Sequence, residues 1–199
     1  MDQNAWDERY RDKELLWKTE PNQFLVEAVA GLKPGKALDL AAGEGRNAIW
    51  LAEEGWDVEA VDWSDVGLDK GRELADRLGA KVAFSQEDLL TWLPSTEAYD
   101  LVVIAYFQIQ QMERQRVWRG AARAVRAGGR LVVVGHDSDN LERGYGGPQH
   151  AEVLYSTDEV VGVVADHLEV TRAEQMIRLV ETDDGVREAF DNIVIAVLA

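Results

Sequence analysis

The sequence predicts an α/β fold built on a mostly parallel sheet, and three observations predict it. Short apolar runs alternate with segments of helical period from residue 37 to residue 135. Two of those runs, 100–105 and 131–135, are apolar at almost every position, as strands buried on both faces are. The chain then closes on two long strand-like segments joined at Asp183-Asp184-Gly185.

In chain order, residues 3–14 and 21–31 read as short helices separated at Pro21, with Asn22 placed to cap the second. Residues 1–34 thus form a helical cap able to cover the mouth of a core spanning 35–199, the whole making one domain. Strand one is 37–41, followed by a helix over 45–54, strand two at 57–62, and a helix over 65–78 whose Leu68, Leu74, Ala75 and Leu78 share a face. Strand three is 81–85. Between strands four and five, Trp118, Ala121, Ala122 and Val125 recur at helical spacing, so Arg114, Arg116, Arg119, Arg123, Arg126 and Arg130 are expected on the solvated side. Residues 137–150 show no periodicity and carry Gly144, Gly146, Gly147 and Pro148, a long connection of the kind that often serves function. Ser156-Thr157-Asp158-Glu159 matches a capping box and opens a helix to residue 165, and 168–180 with 186–198 form the final hairpin.

Composition narrows the partners. The 199 residues are 46% apolar and 29% charged, which suits a globular domain with a sizeable core. A formal charge of −16 repels phosphate backbones and anionic lipid, so neither nucleic acid nor a membrane surface is an expected partner, and a small molecule is. No run reaches the ~20 apolar residues of a membrane span, and the first residues lack a signal-peptide pattern, so a cytoplasmic location is expected. There is no cysteine, hence no disulfide or thiolate chemistry. His136-Asp137-Ser138-Asp139 lacks a second histidine at ligand spacing, and no metal site is expected.

The informative segment is Asp39-Leu40-Ala41-Ala42-Gly43-Glu44-Gly45-Arg46-Asn47-Ala48. A strand that turns at once into a helix beneath a ligand needs small residues where backbone and ligand meet, and Gly43 and Gly45 supply them. Asp62 ends strand two, 62 − 43 = 19 residues beyond Gly43, where an acid can accept hydrogen bonds from two ribose hydroxyls. The glycines also satisfy G-x-G-x-x-G/A of nicotinamide and flavin enzymes. Asp39 discriminates, because its charge opposes a pyrophosphate and suits a sulfonium or ammonium.

Asp39 to Gly45 resembles the D-x-G-x-G-x-G motif of class I S-adenosylmethionine-dependent methyltransferases, with Ala41 where the first glycine usually stands. Trp6-Asp7-Glu8-Arg9-Tyr10 and Trp17-Lys18-Thr19-Glu20-Pro21-Asn22 resemble the N-terminus of the small tellurite-resistance and thiopurine-type members. The resemblance implies a three-layer Rossmann-like sandwich with strand order 3-2-1-4-5-7-6. It also implies S-adenosylmethionine as cofactor, with Asp39, Ala41, Gly43, Glu44, Gly45 and Arg46 at the methionine part and Asp62 on the ribose. Trp63 would lie against the adenine, Asp88 and Leu89 at its amino edge, and Ala105 and Gln108 near the reacting methyl. Trp17, Tyr106, Tyr145 and His150 are candidates for the acceptor region, with aromatic walls attracting the sulfonium. Methyl transfer is an in-line displacement, so a soft sulfur, selenium or tellurium acceptor needs no base, whereas an alcohol or amine does. The candidate bases are His136, His150 and Tyr106. Two other readings stay open at this point: a nicotinamide-dependent oxidoreductase, and a methyltransferase-like module that binds without transferring.

Overall fold

The computed structural model describes residues 3–13, 15 and 19–199. Helices α1 (Gln3–Arg11) and α2 (Gln23–Val29) precede β1 (Lys36–Leu40), α3 (Arg46–Glu53), β2 (Asp57–Asp62), α4 (Asp65–Leu78) and β3 (Val82–Gln86). Then come β4 (Tyr99–Ala105), α5 (Gln111–Ala124), β5 (Val125–His136), α6 (Asn140–Arg143), a 3-10 turn (Ala151–Val153), α7 (Thr157–Val164), β6 (Glu169–Thr182) and β7 (Gly185–Val197). The seven strands lie in the order β3-β2-β1-β4-β5-β7-β6, parallel except where β7 runs antiparallel to β5 and β6. This is the expected Rossmann-like order.

Alternate side chains of a strand leave opposite faces, and here both faces are covered. Leu38, Leu40, Val102, Ile104, Leu131 and Val133 pack beneath α5 and α7, around Trp118 and Tyr155. Ala37, Leu101, Val103, Val132 and Val134 face α2 and α3, with Phe24, Leu25 and Leu51 above them. The same parity assigns Asp39 of β1, His136 of β5 and Asp191 of β7 to the second face, towards the carboxyl edge of the parallel strands.

The cap is tied to the core by specific bonds. The Asn22 side chain accepts from the backbone N–H groups of Phe24 and Leu25, as the expected cap, and the Asn22 N–H donates to Asn47 Oδ1 in α3 at 2.9 Å. Helix α1 packs on the start of α4, where Ser64 Oγ donates to Asp7 and Lys70 donates to the carbonyls of Tyr10 and Lys13.

Three expectations are corrected. Arg114 is not solvated: it is 3% exposed, held by Glu159 at 2.8 Å, and it donates to the carbonyls of Ile109, Glu152 and Leu154. It therefore staples α5 to α7 and the 3-10 turn, while Arg116, Arg119, Arg123 and Arg126 are exposed. Strand five begins at Val125 rather than 131, because Gly128 adopts a left-handed turn (φ 75°) and lets the chain pair with Tyr99 before the regular ladder starts. Residues 137–150 are also more ordered than a bare loop, since Asn140, 1% exposed, accepts from Phe190 N and donates to Gly146 O. Among the described residues, no helix is long and apolar enough to cross a membrane.

Candidate functional site

The chain leaves β1 through a left-handed residue, Ala41 (φ 58°), and repeats that conformation at Gly43 (φ 57°) and Gly45 (φ 72°). Ala41 thus occupies with a methyl group a backbone state that glycine adopts at no steric cost. Gly45 is the N-cap of α3 and supplies no side-chain cap, and the Ala48 N–H in the first turn of that helix is directed to Asp39. A Cβ at Gly45 would lie 2.7 Å from the Phe84 ring. Gly45→Ala should therefore cost about 2 kcal/mol, from the left-handed penalty together with overpacking, and lower the melting temperature by several degrees; an unchanged transition would contradict the geometry.

Asp39 is 1% exposed and its Oδ2 has no hydrogen-bond partner. Burial pushes its carboxyl up to about 7, against the opposing pull of Arg46. A buried acid with an orphan oxygen at a helix N-terminus is a setting that suits a cationic group. Asp62, 6% exposed, is tied down instead: Oδ2 accepts from Gly43 N and Oδ1 from Ser64 N, each at 2.9 Å. Burial raises its pKa even so. Each oxygen keeps a further lone pair for a hydroxyl donor.

The other sequence candidates have mixed settings. Glu44 is buried with Lys70 Nζ 3.6 Å away. Trp63 is half-buried beside Asp62, and its carbonyl accepts from Gln86. Asp88 is exposed and caps the following turn, with Oδ1 accepting from Leu90 N at 2.9 Å, while Leu89 is buried. Ala105 ends β4 in register with Val134. Gln108 spends both ends of its amide on backbone, accepting from His136 N and donating to the carbonyls of Val153 and His136, so it braces the site. Tyr145 is exposed and lines an open cleft of about 480 Å³ near the hairpin tip with Arg143, Thr182 and Arg187. His150 is exposed, with Glu152 3.8 Å away. Trp17 lies outside the described residues.

What the structure does bring together is a cluster the sequence only half revealed. Asp191, fully buried, accepts from Tyr106 Oη at 2.8 Å, from Arg178 Nε at 2.6 Å, and meets His136 Nδ1 at 3.0 Å. Its burial alone would raise its pKa, but the bonds from His136 and Arg178 outweigh that and hold it below the usual carboxylate value. The Tyr106 hydroxyl is pushed up by burial and by the Asp191 charge, so it stays protonated. Tyr106 itself is left-handed (φ 58°), and its ring lies 4.7 Å from that of His136. Arg46 lies within electrostatic reach of Tyr106, Asp39 and Arg178, and burial lowers its pKa. Asp191 and Arg178 escaped the sequence reading; the signal was a polar pair, Asp191-Asn192, interrupting the apolar run of the last strand.

Residues 37–129 match the family described as Methyltransferase domain. Ribosomal RNA small subunit methyltransferase C of Alcanivorax borkumensis is 33% identical over 87 residues, 42% of this chain and 26% of that protein. Demethylmenaquinone methyltransferase of Thermus thermophilus is 29% identical over 123 residues, 61% of this chain and 54% of that protein. The chain thus spans from about a quarter to about half the length of these curated relatives. The crystal structure of magnesium protoporphyrin IX methyltransferase (ChlM) from Synechocystis PCC 6803 with bound SAH shares the fold, with a TM-score of 0.68 and 17% identity over 99% of this chain and 83% of its own. The glycine turn and the strand order are those of the class I S-adenosylmethionine-dependent methyltransferase fold, and residues 37–129 match the methyltransferase-domain family.

Proposed function

We propose that this chain transfers the methyl group of S-adenosylmethionine to a small-molecule acceptor. The observation that carries this reading is Asp39, whose buried and unpartnered oxygen beside the Gly43 to Gly45 turn suits a cationic ligand and would repel a pyrophosphate. A nicotinamide dinucleotide is disfavoured on the same ground.

The cofactor supplies an electrophilic methyl group on a sulfonium. Asp39, the helix N-terminus at Gly45 and Arg46 hold its methionine part; Asp62 takes the ribose hydroxyls on its remaining lone pairs. Trp63 covers the adenine, and Asp88 offers its second carboxylate oxygen at the amino edge with Leu89 beside it. Ala41 and Glu44 shape the turn that carries these contacts, and Ala105 with Gln108 sets the height of the acceptor edge. Alignment and exclusion of water by these groups supply the rate, because a displacement at carbon gains most from fixed geometry. A net charge of −16 weighs against RNA as the acceptor, although one relative is named for it. An already ionised sulfur, selenium or tellurium acceptor would need no proton acceptor at this edge, whereas an O–H acceptor would.

Titration of the purified protein with S-adenosylhomocysteine by calorimetry, with NADH as control, tests the reading. Micromolar binding of the first ligand alone is expected. Binding of NADH alone would mean that the glycine turn serves a dinucleotide.

A further inference from the structure

We infer that His136 Nε2 is the base that takes the proton from a hydroxyl acceptor, with Asp191 as the residue that orients it; this rests on the methyltransferase reading above. Asp191 is an acceptor-only carboxylate, so the 3.0 Å contact requires that Nδ1 of His136 carry the hydrogen. In the neutral tautomer that this contact selects, Nε2 carries the lone pair, and Nε2 has no hydrogen-bond partner among the described residues. The imidazole is held on three sides: by the carboxylate, by the Tyr106 ring 4.7 Å away, and by Gln108, which grips the His136 backbone at both N–H and C=O.

The setting selects the acceptor class. The charged and titratable groups of the cluster are Asp191 on β7, Arg178 on β6, Tyr106 after β4 and the neighbouring Asp137, which is occupied with the Asp139 N–H and Gln175, while Arg46 on α3 lies within electrostatic reach of Tyr106 and Arg178. The positive charge of Arg178 on Asp191, with Arg46 in reach of it, disfavours an ammonium and with it an amine acceptor. A soft anion would leave the oriented lone pair without a task. A hydroxyl compound uses both: its oxygen bonds to the methyl carbon, the carbon–sulfur pair returns to sulfur, and the O–H proton passes to Nε2. The positive charge thereby moves from sulfonium to imidazolium, directly beside the Asp191 carboxylate.

Two measurements test this. In the ligand-free protein, 15N resonances of the His136 ring should show a protonated Nδ1 and a bare Nε2, a pattern that Asp191→Asn disturbs; a proton on Nε2 in the unaltered protein overturns the assignment. Methylation is then followed at mildly alkaline pH with phenol, which ionises near the tyrosine value of about 10, and with 4-nitrophenol, which is largely ionised there. His136→Gln should lose about 100-fold or more in phenol turnover, with a penalty at least tenfold smaller for 4-nitrophenol. Equal penalties for the two phenols, or turnover of thiophenol but neither phenol, or bound S-adenosylhomocysteine with no acceptor methylated, overturn the inference. Failure of the unaltered protein to bind S-adenosylhomocysteine would instead overturn the methyltransferase reading itself.

Discussion

Asp39→Asn is expected to raise the melting temperature of the ligand-free protein at pH 8 while weakening its hold on S-adenosylmethionine. The folded carboxyl ionises at about 7, against its ordinary value of 3.8, because burial opposes its charge. Between those values the folded state binds the proton more tightly than the unfolded state does. Stability is therefore lost as pH rises from the ordinary carboxylate range through neutrality, and the loss is complete above it. A shift of this size corresponds to about 4 kcal/mol, of which an asparagine, itself needing partners, would recover about 2 to 3. For a chain of this length that is roughly 5 °C or more. The gain over the unaltered protein should be large at pH 8 and small at pH 5. Affinity should fall further for the sulfonium than for the neutral S-adenosylhomocysteine, since only the former loses a charge partner. Equal melting gains at both pH values would contradict the buried-charge account.

Asp62→Ala should lower the affinity for S-adenosylhomocysteine by about 100-fold or more, since two hydrogen bonds to a charged acceptor are removed at about 1.5 to 3 kcal/mol each. The substitution also frees the Gly43 and Ser64 N–H groups, which Asp62 now holds at 2.9 Å, so the turn beneath the methionine loosens as well. The sheet itself does not depend on this side chain, and a folded protein with a lower melting point is expected. Calorimetry beside circular dichroism separates the two effects; unchanged affinity in a folded variant would remove Asp62 from the ribose site.

The segment from Asp39 to Leu78 was legible because its physics is local. Strand, glycine turn, helix and acid follow one another within a single βαβ unit, and the expected bounds of β2 and α4 match the structure. Residues with a long-range task were harder. Arg114 lies in an arginine-rich helix and reads as one more solvated charge until Glu159, 45 residues away, closes on it. Asp191 meets Tyr106 85 residues back in the chain, and only the sheet order, with β7 inserted between β5 and β6, brings that pair and Arg178 to His136. Tyr145 and His150 share the aperiodic stretch that suggested function, yet both side chains are exposed and neither joins the cluster through a contact among the described residues.

The placement of the hairpin has an evolutionary consequence. The match to the methyltransferase-domain family spans residues 37–129, whereas His136, Arg178 and Asp191 all lie beyond it. On the proposed function, residues before 129 hold the methyl donor, and the acceptor edge is reached through β7, which pairs with β5. Such a chain can exchange one recipient for another by altering two adjoining strands and leave donor recognition intact, a partition that lets new specificities arise by small genetic steps.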